Sequence, residues 1–253
     1  MPLDAQSTTS VCGGPNAADA ILFLLTFAMF GVVGLGIFVG SRRSGDDVFV
    51  ARRAALGALA LLATWLGFAA FLATGGALSD WAAVPPRWPL LPLGAFIAIA
   101  LVSRSHAASR ILHDVPATWV IGTQTFRIVV ELGLYASYAA GCAPAQITFE
   151  GRNLDILVGL TAPVVAFLLA TRHIGPKLAI AWNVAGLAIL ANTVGTVATS
   201  TPGPLHRDWG GAPLTAIATW PTVWLPAFLM PLAVFLHVSS LRQNVRALGS
   251  LRR

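Results

Sequence analysis

The chain has 253 residues, 56% of them hydrophobic and only 10% charged, where a soluble domain carries roughly 25% charged residues. That excludes a water-soluble globule, and the uncharged runs take up so much of the length that no separate catalytic domain fits beside them. The formal net charge of +6 is read as topology and attraction to anionic lipid, not as nucleic-acid binding.

Runs free of charge define the predicted spans. The first is 20–41, between Asp19 and Arg42, and the second is 54–79, between Arg53 and Asp80. Both are long enough to cross a hydrocarbon core of about 30 Å. The third, 88–103, reaches about 24 Å at 1.5 Å per residue, so Arg87 or Arg104 must snorkel to extend it. The fourth, about 118–140, is interrupted by Arg127 and Glu131, whereas 156–171, 178–199 and 220–240 carry no charge. The expectation is an all-α polytopic membrane bundle of seven transmembrane helices, with a tail at 1–19, the bundle at 20–240 and a basic tail at 241–253. Residues 1–16 lack a basic leader segment, so the first helix is expected to be retained.

Short loops rich in Lys and Arg stay in the cytoplasm. Arg42, Arg43, Arg52, Arg53, Arg104, Arg110, Arg172, Lys177, Arg242, Arg246, Arg252 and Arg253 fall on one side, against Arg87, Arg152 and Arg207 on the other. This places the N-terminus outside and the C-terminus inside. Trp81, Trp88, Trp209 and Trp220 then sit at the outer boundary, as an aromatic belt requires. The arginine and alanine bias suits a bacterial inner membrane.

The fourth span carries the most chemistry. Gln124, Arg127, Glu131, Tyr135 and Tyr138 recur at helical spacing and form one polar stripe. It is too costly to expose to lipid and so must look into the bundle. Arg127 and Glu131 lie four apart and are expected to pair directly, or to meet polar groups on the later helices. The stripe reads either as an ion pair that fixes packing or as a path for a polar ligand or protons. Asn183 and Asn192 in the sixth span need partners and are expected to turn toward it. Glu150, Arg152 and Asp155 form a charged loop before the fifth span, read as the mouth of a site or, through Asn153 or Asp155, as a helix cap. Pro226 and Pro231 must free backbone carbonyls in the seventh span.

Cys12 and Cys142 both fall on the outer side, and two arrangements stay open: a disulfide that pins the N-terminal tail over the bundle, or two thiols. No metal site or cofactor is expected. A haem between His173 and His237 has no ligand spacing behind it. Retinal would need a lysine in the last helix, and the lone lysine is Lys177, at the start of the sixth span. No nucleotide-binding, hydrolase or zinc-protease motif occurs.

The middle of the chain, from Gln124 to Pro163, resembles a group of uncharacterised bacterial seven-helix membrane proteins. The run TFEGRNLDILVGLTAP from Thr148 carries most of that resemblance, and LHVSSLRQ from Leu236 adds to it. It implies topology but no activity. The expected function is transport or conduction of a small polar solute or protons. The alternatives are a membrane sensor, or a structural or assembly subunit of a larger membrane complex or oligomer.

Overall fold

The computed structural model describes residues 16–250, and within them every regular element is helical. Helix α1 (Ala17–Arg43) opens with a reciprocal cap: the Asp19 amide donates to Asn16 Oδ1 at 3.0 Å, and the Asn16 amide donates back to Asp19 Oδ2 at 3.3 Å. Helix α2 (Val48–Thr74) begins six residues earlier than the charge pattern implies. Asp47 caps it, accepting from the Val50 amide at 2.9 Å, so Arg52 and Arg53 lie within the helix. It ends at Thr74, five residues before the expected 79, where Gly75 and Gly76 follow and Gly76 takes a left-handed φ of 70°.

Helix α3 (Leu90–Arg104) is followed by α4 (His106–Asp114), and the two are bent by 90° at Ser105. Ser105 starts α4 by accepting from the Ala108 amide at 3.2 Å. The predicted fourth span is two helices, α5 (Ala117–Thr123) and α6 (Phe126–Ala139), joined by tighter i to i−3 bonds at Gln124 and Thr125. Helices α7 (Asp155–Ala170) and α8 (Pro176–Ser200) follow. A π-helical turn at Leu225–Leu229 then leads into α9 (Met230–Ser250), so residues 241–250 continue this helix.

Among the described residues, α1, α2, α8 and the continuous stretch Leu225–Ser250 are long and apolar enough to cross a membrane. The bent α3–α4 pair makes a fifth if it counts as one span. The polarity is inverted relative to a soluble protein. Phe27, Leu61, Phe71 and Phe167 are exposed, while Arg127, Glu131 and Asp155 are buried. These features make the chain an integral membrane protein of several helices.

The core gathers around the π turn and the start of α9, where Leu225, Ala227, Phe228 and Leu229 pack among Leu22, Met29, Leu66 and Phe126. Proline explains the irregularity there. Pro231 cannot donate to the Ala227 carbonyl four residues earlier, and the Trp65 indole supplies that bond instead at 2.9 Å. Pro226 likewise frees the Thr222 carbonyl, which takes the Leu225 amide at 2.9 Å.

One end of the bundle gathers Arg42, Arg43, Arg52, Arg53, Arg104, Arg110, Arg242 and Arg246, and is called here the arginine-rich end. There α4 is tied down on both sides. Asp46, in the α1–α2 turn, accepts from Ser41 at 2.5 Å and from Arg110 at 2.8 Å, and Ser44 donates to Asp114 at 2.6 Å. Gln243 of α9 donates to the Leu112 and Val115 carbonyls at 2.9 and 2.8 Å. Gly40 of α1 lets α4 close in, since a Cβ there would stand 2.7 Å from the Ile111 carbonyl oxygen. The Ser41 hydroxyl is the largest influence on the Asp46 carboxyl. It outweighs partial burial, Arg110 adds to it, and the carboxyl is held below the usual range.

Candidate functional site

The polar stripe of α6 turns inward at the middle of the bundle. Arg127, 1% exposed, directs Nε to Asp155 Oδ2 at 2.6 Å, and its Nη2 pairs with Asp155 Oδ1 in a forked contact. Of the two arrangements expected for Arg127, the direct pair with Glu131 gives way to the other, polar partners on later helices. Asp155 comes closer because α7 begins inside the bundle: the preceding segment folds inward and buries Ile147, Thr148 and Asn153 completely. Gly159 permits this approach, since a Cβ there would lie 2.9 Å from the Ile128 backbone nitrogen. Asp155 thus leaves the predicted mouth, and Asn153 caps only by accepting the Asp155 amide at 3.1 Å.

Glu131, fully buried, accepts from Asn153 Nδ2 through Oε1. The Asn153 amide is satisfied on both sides. Its Nδ2 also donates to the Ile147 carbonyl at 2.9 Å, and its Oδ1 accepts Thr193 Oγ1 at 2.6 Å. Glu131 Oε2 has no hydrogen-bond partner among the described residues. Glu131, Arg127 and Asp155 line a cavity of about 60 Å³, whose other walls include Trp88, Leu134, Leu190 and Ile217.

On the other side of Arg127 the network continues toward the arginine-rich end. Arg127 Nη1 donates to His237 Nε2 at 2.9 Å. A guanidinium has no lone pair to offer, so Nε2 is the acceptor and the imidazole is the neutral Nδ1–H tautomer. Nδ1 then donates to Asn183 Oδ1 at 2.9 Å. Asn183 Nδ2 donates to the Ala179 carbonyl at 2.7 Å and to Ser240 Oγ at 2.9 Å, which fixes the orientation of the amide. Asn244 closes the line on the Ser240 carbonyl at 2.8 Å. Gly186 of α8 makes room for the histidine, since a Cβ there would lie 2.7 Å from His237 Nε2.

Other predicted site residues lie apart. Gln124 is buried and donates to the Ala233 carbonyl at 3.0 Å. Tyr135 and Tyr138 are half-buried, tilted against each other, with Tyr135 stacked on Phe149 5.1 Å away. Asn192 does not turn inward. It is exposed and donates to the Arg152 carbonyl at 2.8 Å, so Thr193 takes the inward position. Glu150 and Arg152 remain on the surface, where Arg152 and Arg207 each stand 5.2 Å from the Trp209 ring. His173 is exposed and bonds to Thr171 at 2.7 Å, while His237 is committed to Arg127 and Asn183. Among the described residues no cluster of His, Cys, Asp or Glu is arranged to hold a metal ion. Cys142 is buried, and the open question of its pairing with Cys12 falls outside the described residues.

Three contributors are not legible from the sequence pattern alone: Asn153, which reads there only as a cap, and Ser240 and Asn244. Yet His237, Ser240 and Asn244 stand three and four apart on one helical face, the same kind of spacing as the stripe on α6.

The sequence profile of one protein family, described as a domain of unknown function (DUF8737), matches residues 89–244. The chain belongs to this family. The DUF8737 region runs from the start of α3 to Asn244, so it takes in every member of the buried network. No curated protein and no solved structure matches the chain.

Proposed function

We propose that the chain is a seven-span protein of a bacterial inner membrane, N-terminus outside and C-terminus inside, that moves protons through the bundle by way of Glu131. The observation that carries the reading is the fully buried Oε2 of Glu131, which has no hydrogen-bond partner among the described residues, on a residue that lines the 60 Å³ cavity. The arginine bias supports the orientation. In this reading α3, α5 with α6, and α7 complete the seven spans begun by α1, α2, α8 and α9.

The size of the cavity favours protons over a solute. Pockets for small molecules enclose roughly 300–1,000 Å³, whereas 60 Å³ has room for a few waters at most. Charge counting favours Glu131 as the carrier. Among the described residues the interior holds one guanidinium and two carboxylates, with His237 neutral, so a proton on Glu131 brings it to zero net charge and its loss leaves one negative charge. Arg127 and the amides beyond it do not relay protons, so the Arg127–Asp155 pair plugs the line. Passage then requires alternation: Glu131 takes its proton from water admitted to the cavity and, when the Arg127–Asp155 pair rearranges, releases it to water admitted from the opposite side.

Proton flux in proteoliposomes, read by an internal pH dye under an imposed potassium potential, tests the proposal. Wild type is expected to conduct above protein-free vesicles, and Glu131→Gln, which keeps the acceptor for Asn153, is expected to fold and lose that flux. No flux in wild type, or undiminished flux in the variant, overturns it.

A further inference from the structure

A second and larger cavity, about 550 Å³, lies away from the buried charges, between α1, α2, α3, α4, α5 and α9. Its lining is almost wholly apolar and includes Leu62, Ile99, Leu112 and Phe235. Small residues on facing helices, among them Gly36, Ala58 and Ala98, leave the volume open. The size is that of a ligand site.

The cavity has a floor and a roof. Trp65 forms the floor, lying against Gly94 of α3 and anchored through its indole to the Ala227 carbonyl. Helix α4 forms the roof. Its Ala107, Ala108, Ile111 and Leu112 line the cavity, while His106, Arg110 and His113 lie on its other face. A helix of this pattern, turned 90° from the span before it, suits the plane of the membrane interface. From Ala54 near the roof to Trp65 at the floor is about 16 Å at 1.5 Å per residue. Half of a hydrocarbon core is about 15 Å, so the cavity is one leaflet deep.

Charge at the roof end favours an anionic occupant. Arg53 and Arg104 do not line the cavity, but they are the exposed neighbours in sequence of the lining residues Ala54, Ser103 and Ser105, within reach of a headgroup at its rim through their long side chains. Neither arginine has an acidic partner among the described residues. We propose that this cavity holds an acyl chain of an anionic phospholipid drawn from the leaflet at the arginine-rich end, with the headgroup phosphate at Arg53 and Arg104. The site is independent of Glu131 and of the proton reading.

Native mass spectrometry of the purified full chain, given equal amounts of phosphatidylglycerol and phosphatidylethanolamine with identical acyl chains, tests this. The wild type is expected to retain phosphatidylglycerol preferentially. Replacing both Arg53 and Arg104 with Gln is expected to cut that preference by roughly thirtyfold, from the loss of two surface cations, while a lipid is still retained. Ala98→Trp fills the cavity and is expected to lower retention of either lipid at least tenfold. Ala58→Phe serves as a second filling variant, and size-exclusion profiles confirm that each variant is folded. The proposal is overturned if the wild type shows no preference between the two lipids, if both filling variants fold and retain lipid as wild type does, or if the retained molecule is an isoprenoid.

Discussion

Replacing Asp155 with Asn is the sharpest perturbation of the buried network. The amide keeps the size of the carboxylate, so packing changes little, but Arg127 loses its counter-charge where its guanidinium is 1% exposed. His237 cannot compensate, because it is neutral and already holds Arg127 Nη1 at 2.9 Å. Removing one partner of a buried ion pair costs about 3–5 kcal/mol, or roughly two to three and a half decades in the folding equilibrium. Unfolding in mixed micelles by an SDS titration, followed by far-ultraviolet circular dichroism, measures it. The double variant Arg127→Met with Asp155→Leu removes both charges and is expected to recover at least half of the loss, since a buried pair exchanged for apolar groups is often neutral. A loss below about 1 kcal/mol in Asp155→Asn, set against that expected cost, would refute the reasoning. So would a double variant no more stable than the single one.

Gly186→Ala is expected to destabilise by about 1–3 kcal/mol as an overpacking change, because the new methyl meets the His237 ring; an unchanged SDS midpoint would contradict this. Asn192→Ala removes only an exposed bond to a loop carbonyl and is expected to stay within about 0.5 kcal/mol of wild type, in contrast to Asn183→Ala, which strips partners from His237 and Ser240. The Asp46 carboxyl is held below its unfolded value, so its contribution is present above that value and is lost as pH falls through the folded one. Hydrogen exchange in the turn Ser44–Asp47, corrected for the intrinsic rate, is therefore expected to accelerate below about pH 4, and a flat profile down to pH 3 would count against the bond from Ser41.

Hydropathy and charge gaps carried the all-helical membrane class and located most of the helices. They erred where a local interaction outranks average polarity. Asp47 starts α2 ahead of two arginines because a cap rewards the first turn, and arginines on a long helix reach the interface by their own stems. The stripe on α6 was readable because burial of charge in lipid demands an interior. Its partners were not, because adjacency along one helix favoured Glu131, four residues from Arg127, while Asp155 reaches the guanidinium only by an inward-folded loop. Long-range pairing of this kind leaves no periodic trace. The π turn was half legible: Pro226 and Pro231 announced freed carbonyls, but no rule of spacing names Trp65 as the donor that answers one of them.

The lengths of α1, α2 and α3 have a mechanical consequence for the surrounding bilayer. The two 27-residue helices measure about 40 Å at 1.5 Å per residue, and the 15-residue α3 about 22 Å. If α3 crosses the bilayer as a span, the perimeter has two heights, and the short one is met by thinned lipid or by snorkelling of Arg104, a demand that α1 and α2 do not make. Each ångström of mismatch costs a fraction of a kcal/mol, so a spanning α3 would give the molecule a built-in gradient of membrane deformation along its rim. Thin bilayers relax that gradient and thick ones steepen it, which makes acyl-chain length a thermodynamic variable of this fold in the same sense as temperature or pH.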